Sequence, residues 1–155
     1  MSIKIRRLQP GNEALALRVV RDLIASEERE GAEPTIGHLQ QMLAQDTNYL
    51  IVATREESPA DSTPLGFVRA YRMPDLCSDA DMVYLYEIEV ATAYRRQGIG
   101  KQMIELLKTL CLEDGADYIW VGTENANVAA KRLYESTGGV CAEMDSCEFI
   151  YDLAK

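Results

Sequence analysis

The 155-residue sequence predicts an α/β (α+β) protein in which a mixed central sheet of six to seven strands carries about four helices on its faces. Three observations predict it. Some segments alternate apolar and polar residues with the period of a strand. Others repeat apolar residues with the period of a helix. The two kinds interleave in the order βααβββαβαββ.

The first strand is "IKIRRL", broken by "PGN". Asn12 is placed to cap a helix carrying Leu15, Val19, Leu23 and Ile24 on one face. The polar stretch from Ser26 to Pro34 reads as a loop. Thr35 then caps a second helix whose Leu39, Met42 and Leu43 point inward. "NYLIVAT" and "LGFVRAYRM" read as antiparallel neighbours across an exposed connection at 55–64. A further strand spans 82–90, with Tyr84, Tyr86, Ile88 and Val90 on one face and Leu85, Glu87 and Glu89 on the other. A helix at 98–113, the strand "YIWVGT", a short helix after Asn127 and a closing hairpin in "GVCAEMDSCEFIYDL" complete the chain. There is no internal repeat, and the loops are too short for linkers, so residues 1–155 read as one domain.

Twenty-five acids against 16 bases give a net charge of -9, which argues against a nucleic-acid partner. A negative field suits a cationic small molecule; it also simply keeps a protein soluble. The four cysteines form no CxxC pair and His38 is the only histidine, so no metal site is expected. Cys111 stands at helical spacing from Ile104 and Leu107, as a core thiol does. The N-terminus has no signal-peptide pattern and no apolar run reaches membrane-spanning length, which fits a cytoplasmic protein without a membrane partner.

The stretch "RRQGIGK" joins a strand to a helix. Its glycines at 98 and 100 admit a ligand to main-chain N–H groups at a positive helix end, and Arg95, Arg96 and Lys101 surround the same point. A plain strand-to-helix turn with solvated arginines would look the same. A Walker A loop is excluded because Gln102 follows Lys101, and a dinucleotide fingerprint because Met103 stands where a third glycine belongs.

The run Arg95-Arg96-Gln97-Gly98-Ile99-Gly100 resembles the coenzyme A signature of the GCN5-related N-acetyltransferases (the GNAT family). A second stretch, "NVAAKRLYESTG" from Asn127 to Gly138, resembles that family's later Asn-x-x-Ala-x-x-Leu-Tyr motif. The resemblance implies a sheet splayed beside the strand 82–90, with acetyl-CoA as co-substrate. The main chain of Ile88, Glu89 and Val90 would bond the pantetheine, and the amides from Gly98 to Lys101 the pyrophosphate. Asn127 and Ala130 would line the coenzyme arm, and Tyr134 would protonate the leaving thiolate. One departure stands out: Gly139 replaces the phenylalanine usual after Gly138.

An unpaired carboxylate is costly inside a strand, so Glu87 and Glu89 should meet a cleft or a cation. A protonated amine is such a cation, and it must lose a proton before attacking a thioester. Glu87 therefore reads as substrate anchor or base, or else as half of a purely structural ion pair. Glu89 either assists or pairs with an arginine. No cysteine lies in the motifs with a histidine base, which favours direct transfer over an acetyl-enzyme.

Nearly the whole chain is similar to the type I aminoglycoside 3-N-acetyltransferases, through "HLQQMLAQDTNYLIVAT", "LGFVRAYRMPDL", "YLYEIEVATAYRRQGIGKQMIELLK" and "AAKRLY". That resemblance implies substrate carboxylates at Glu87 and Glu124, and an aminoglycoside as the amine. Glu27, Glu28, Glu30 and Glu33 would then rim the pocket, or else form a solvated turn. Dimers are common in the family, and the closing hairpin offers pairing across a homodimer. A polyamine, a small metabolite or a protein N-terminus remains an alternative acceptor. A non-catalytic acyl-CoA sensor and a purely structural module remain alternatives to catalysis.

Overall fold

The computed structural model describes residues 2–58, 61–141 and 153. Strand β1 (Ser2–Arg7) is followed by helices α1 (Glu13–Leu23) and α2 (Ile36–Ala44). Strands β2 (Asn48–Ser58), β3 (Asp61–Pro74) and β4 (Asp81–Val90) come next. A 3-10 turn (Thr92–Tyr94) leads to α3 (Ile99–Glu113), then β5 (Ala116–Trp120) and α4 (Val128–Ser136). The strands lie in the order β1-β2-β3-β4-β5, antiparallel until β4 pairs with β5 in parallel. A parallel pair needs a crossover, and α3 is that crossover.

Strand β2 shows why the sheet is covered on both faces. Tyr49, Ile51 and Ala53 join one core, and Leu50 and Val52 join another. On the first face α3 contributes Ile99, Met103, Ile104, Leu107 and Cys111, all buried and all at helical spacing. On the second, Ala16 and Val19 of α1 and Leu39 and Leu43 of α2 cover Leu50, Val52 and Phe67. Each such aliphatic side chain stabilises the fold by about 1.5–3 kcal/mol when fully buried. Burial also pushes the Cys111 thiol up to about 11, as a structural cysteine requires.

The C-terminal end of α3 is tied to the sheet by polar groups. The Tyr49 hydroxyl donates to Asp114 at 2.7 Å, and the Arg7 guanidinium lies 4.4 Å from the Tyr49 ring centre. Burial, then the Asp114 carboxylate, hold that phenol protonated far above its usual range. Arg72 closes the set through a 2.7 Å bond to Asp81. This end of α3 is anchored, and the other is left open.

Several sequence expectations change. Five strands form the sheet among the described residues, not six to seven; the closing hairpin falls mostly on 142–152, outside them. The connection at 55–64 is largely strand, because β2 and β3 stay paired as far as Ser58 and Asp61. Strand β5 starts at Ala116 and stops at Trp120, ahead of the expected "YIWVGT". Thr35 caps α2 as expected, accepting from the His38 N–H at 3.1 Å. Asn12 instead accepts from the Gln9 N–H at 3.0 Å and leaves α1 without a side-chain cap.

The face assignment on β4 is also corrected. Arg69 pairs with Glu87 but Ala70 pairs with Leu85, so Tyr86 is an extra residue, a β-bulge. Before it, Val83 and Leu85 face α3; after it, Ile88 and Val90 do. Tyr84, Tyr86 and Glu87 thereby come to one side and line one cleft. Opposite this strand Gly66 is packed without slack: a Cβ there would lie 2.8 Å from the Glu89 carbonyl oxygen and 3.2 Å from Met103 Cε. Gly66→Ala is expected to lower stability by roughly 1–3 kcal/mol in urea denaturation, since backbone must move to relieve the contact.

Candidate active site

The pairing of β4 with β5 stops at Tyr84 and Trp120. Beyond that pair the edge of β4 that faces away from β3 has no strand partner among the described residues, and the sheet opens. The chain then turns into α3. Arg96 takes φ +62° and Gly98 φ +79°, both in the left-handed region. For Gly98 that conformation is cheap; for Arg96 it costs about 1 kcal/mol. The first helical bond of α3 runs from Gln102 N–H to the Gly98 carbonyl at 3.0 Å. The amides of Ile99, Gly100 and Lys101 precede it, and Gly98 has no side chain to cap them. Open N–H groups at a positive helix end, reached past glycine, fit a diphosphate.

The two glycines of the motif differ in what they do. Gly98 supplies the positive φ. Gly100 lets α4 approach, because a Cβ on it would lie 3.2 Å from Leu133 Cδ2 and 3.8 Å from Val90 Cγ2. The basic residues also divide. Arg96 and Lys101 are exposed around the turn. Gln97, also exposed, reaches back to the Ala93 carbonyl at 3.4 Å. Arg95 is turned back onto β4, where Nε donates to the Val90 carbonyl at 2.9 Å and a terminal nitrogen meets Glu89 at 2.6 Å. Of the two readings of Glu89, the ion pair with an arginine is the one seen.

Helix α4 starts at Asn127, whose Oδ1 accepts from the Ala130 N–H at 3.1 Å. Ala130, Leu133 and Tyr134 are half-buried on the side toward α3. Desolvation raises the pKa of the Tyr134 phenol. A phenol is thus held neutral with its proton available. The replacement of phenylalanine by Gly139 has a local reason: its N–H bonds the Tyr134 carbonyl at 2.8 Å, and a Cβ would meet that oxygen at 2.9 Å.

On the α1/α2 side of the sheet lies a cleft of ≈ 880 Å³. Glu87 stands on its floor with Tyr84 and Tyr86, and Glu28, Glu33 and His38 on its walls. The rings of Tyr84 and Trp120 stack at 4.3 Å, and Tyr84 and Tyr86 meet edge to face at 5.8 Å. Glu33 is held by two bonds from Arg21, at 2.8 and 2.9 Å, which keep its carboxyl below the ordinary range. The Glu87 carboxyl is half-buried; desolvation raises its pKa against the opposing pull of Arg69.

The sequence expectations fare unevenly here. Glu87, Glu28 and Glu33 are brought together. Glu27 and Glu30 are exposed, share a main-chain turn and do not line the cleft. Nor does Glu124, exposed between β5 and α4, where its carbonyl accepts from the Asn127 N–H at 2.9 Å. Arg69, Tyr84 and Tyr86 were not foreseen as cleft residues. The signal for them would have been the β3–β4 register, which a connection as long as 75–80 does not specify. No group of three or more candidate metal ligands occurs among the described residues, and no described helix is long and apolar enough to cross a membrane.

A family model described as the acetyltransferase (GNAT) family matches residues 17–139. The chain belongs to this family. Two solved structures from uncultured soil metagenomic samples resemble it over almost their full length. One is the aminoglycoside acetyltransferase meta-AAC0020, crystallised with sisomicin, at 27% identity and a TM-score of 0.81, covering 97% of this chain and 96% of that one. The other is the aminoglycoside acetyltransferase HMB0005, at 26% identity and a TM-score of 0.83, covering 98% and 100%. A curated relative, "Probable N-acetyltransferase HLS1" of Arabidopsis thaliana, is 31% identical over 58 residues, which are 37% of this chain and 14% of that protein. This GNAT chain therefore spans only a small part of that relative's length.

The raised Glu87 pKa has a stability consequence of fixed sign. A carboxyl titrating higher in the folded than in the unfolded state contributes stability that is complete at low pH and lost as pH rises through the folded value. Glu87→Gln removes that dependence. The stability of the variant relative to the parent is expected to increase as pH is raised from about 4 to 7, in urea denaturation followed at several pH values.

Proposed function

We propose that this protein transfers the acetyl group of acetyl-CoA to a primary amine of a polycationic small molecule, an aminoglycoside in the first place, at its 3-amino group. The observation that carries this reading is Glu87. It is a half-buried carboxylate on the bulged strand, beside the point where the sheet opens and at the floor of a cleft whose walls bear further acids. The metagenomic aminoglycoside acetyltransferases resembled along the whole chain support the substrate class.

The thioester supplies an activated acyl carbon and a thiolate leaving group. The amides of Ile99, Gly100 and Lys101 would hold its diphosphate, with Arg96 and Lys101 adding charge and the Asn127 side-chain NH₂ turned to the coenzyme arm. The unpaired edge from Ile88 to Val90 would bond the pantetheine through its main chain, and one N–H there would face the negative charge that develops on the carbonyl oxygen. Glu87 accepts a proton from the substrate ammonium, directly or through water, and frees the nitrogen lone pair. As the C–N bond forms and the C–S bond breaks, Tyr134 gives its proton to sulfur, and the second proton shed by the nitrogen returns the phenolate to phenol through solvent.

The test is release of free thiol from acetyl-CoA against gentamicin, kanamycin, spermidine and a short peptide, with NMR locating the acetyl group. Aminoglycoside turnover with the label on the 3-amino nitrogen is the expected result. Turnover of spermidine or peptide alone would move the substrate class. Coenzyme A binding without thiol release from any amine would make the protein a sensor. Glu87→Gln and Tyr134→Phe are each expected to lower kcat by about 10²-fold or more at saturating substrates; full turnover by both would remove their assigned parts.

A further inference from the structure

The cleft carries three glutamates, and its central carboxylate is already engaged. Arg69 of β3 lies in register with Glu87, and its Nε stands 2.8 Å from Glu87 Oε2. The approach is close but poorly aimed. Both atoms are buried, and neither makes a hydrogen bond among the described residues. The same guanidinium stacks 4.1 Å from the centre of the Tyr86 ring. Tyr86 in turn is braced edge to face by Tyr71 at 6.1 Å and by Tyr84 at 5.8 Å. Arg69 thus has two perches, one on a carboxylate and one on an aromatic face.

We propose that Arg69 is a resident counter-cation of the acceptor cleft: it occupies the place of a substrate ammonium on Glu87 and, when a cationic amine arrives, gives up that carboxylate and stays held on Tyr86 alone. The proposal deepens the acetyltransfer reading above and rests on it for the identity of the acceptor. An ammonium carries three freely rotating donors and can aim one at Glu87 Oε2, which the rigid guanidinium fork does not do in this register. The displaced guanidinium keeps a favourable contact with the ring. Exchange of one cation for another leaves the charge on Glu87 balanced throughout, so a buried carboxylate is never left bare. Glu87 also faces Glu28 and Glu89, and the cleft further holds Arg29, Glu33 and His38. Arg69 is the cation set directly against the Glu87 carboxylate.

Binding calorimetry with kanamycin and with spermidine, without acetyl-CoA, tests the exchange on the protein and on Arg69→Gln and Arg69→Met. Loss of the competitor is expected to tighten polyamine binding about two- to fivefold, the range of a partly exposed ion pair. Arg69→Lys, which keeps a charge there, should stay close to the parent. In turnover assays KM should fall by the same factor, and the acidic limb of the pH profile should move upward as the neighbouring positive charge disappears. A merely structural arginine would give weaker binding in both neutral variants, and that result overturns the proposal. So does binding of a carboxylate-bearing amine such as glycylglycine that is lost in Arg69→Gln, because Arg69 would then be an anion anchor. Absence of thiol release from the parent would remove the acetyltransfer reading alone, since the calorimetry does not depend on turnover.

Discussion

The cleft depends on one extra residue. An unbroken β4 would alternate strictly, so a strand that buries Val83 and Leu85 against α3 would also send Glu87 and Glu89 into that core. Inserting Tyr86 between the paired positions reverses the alternation at a single point. Apolar side chains then serve α3 on both sides of the bulge, while the carboxylates are delivered to the opposite face. The same irregularity lies just past the last β4–β5 pair, Tyr84 with Trp120, where the sheet opens. One backbone feature thereby aligns an acid with the opening that a thioester would enter.

Charge in this molecule is organised by pairing more than by excess. The net charge of -9 suggests a bare negative pocket, but the acids nearest the site are matched: Glu87 with Arg69, Glu89 with Arg95 and Glu33 with Arg21. Such pairs contribute little to folding where they are exposed. They hold carboxylates in fixed positions and keep a desolvated one near a compensating charge. The Arg95–Glu89 pair also fixes the entry to α3, since the same guanidinium bonds the Val90 carbonyl at 2.9 Å.

The parts of the fold legible in the sequence are those governed by local rules. The spacing of Ile104, Leu107 and Cys111 placed a core helix, Thr35 declared the cap of α2, and the glycine pair announced the start of α3. Tyr134 on its helical face followed from the same logic. What escaped was non-local. "YLYEIEV" alternates without a visible break, so nothing in it marks Tyr86 as supernumerary; only pairing with β3 does. Arg69 was unreadable for the same reason, because its partner is set by register and not by spacing. The long β2–β3 ribbon was obscured by the polar composition of 55–64, where strand pairing continues as far as Ser58 and Asp61 without an apolar pattern.

Gly100 and Leu133 join two helices. With 3.2 Å between an added Cβ and the leucine methyl, the first turn of α3 and the middle of α4 pack closely. Tyr134 follows Leu133 directly on α4, half-buried. If the diphosphate and the proton donor take the places proposed above, an anion at the first turn of α3 would press on the helix that carries Tyr134.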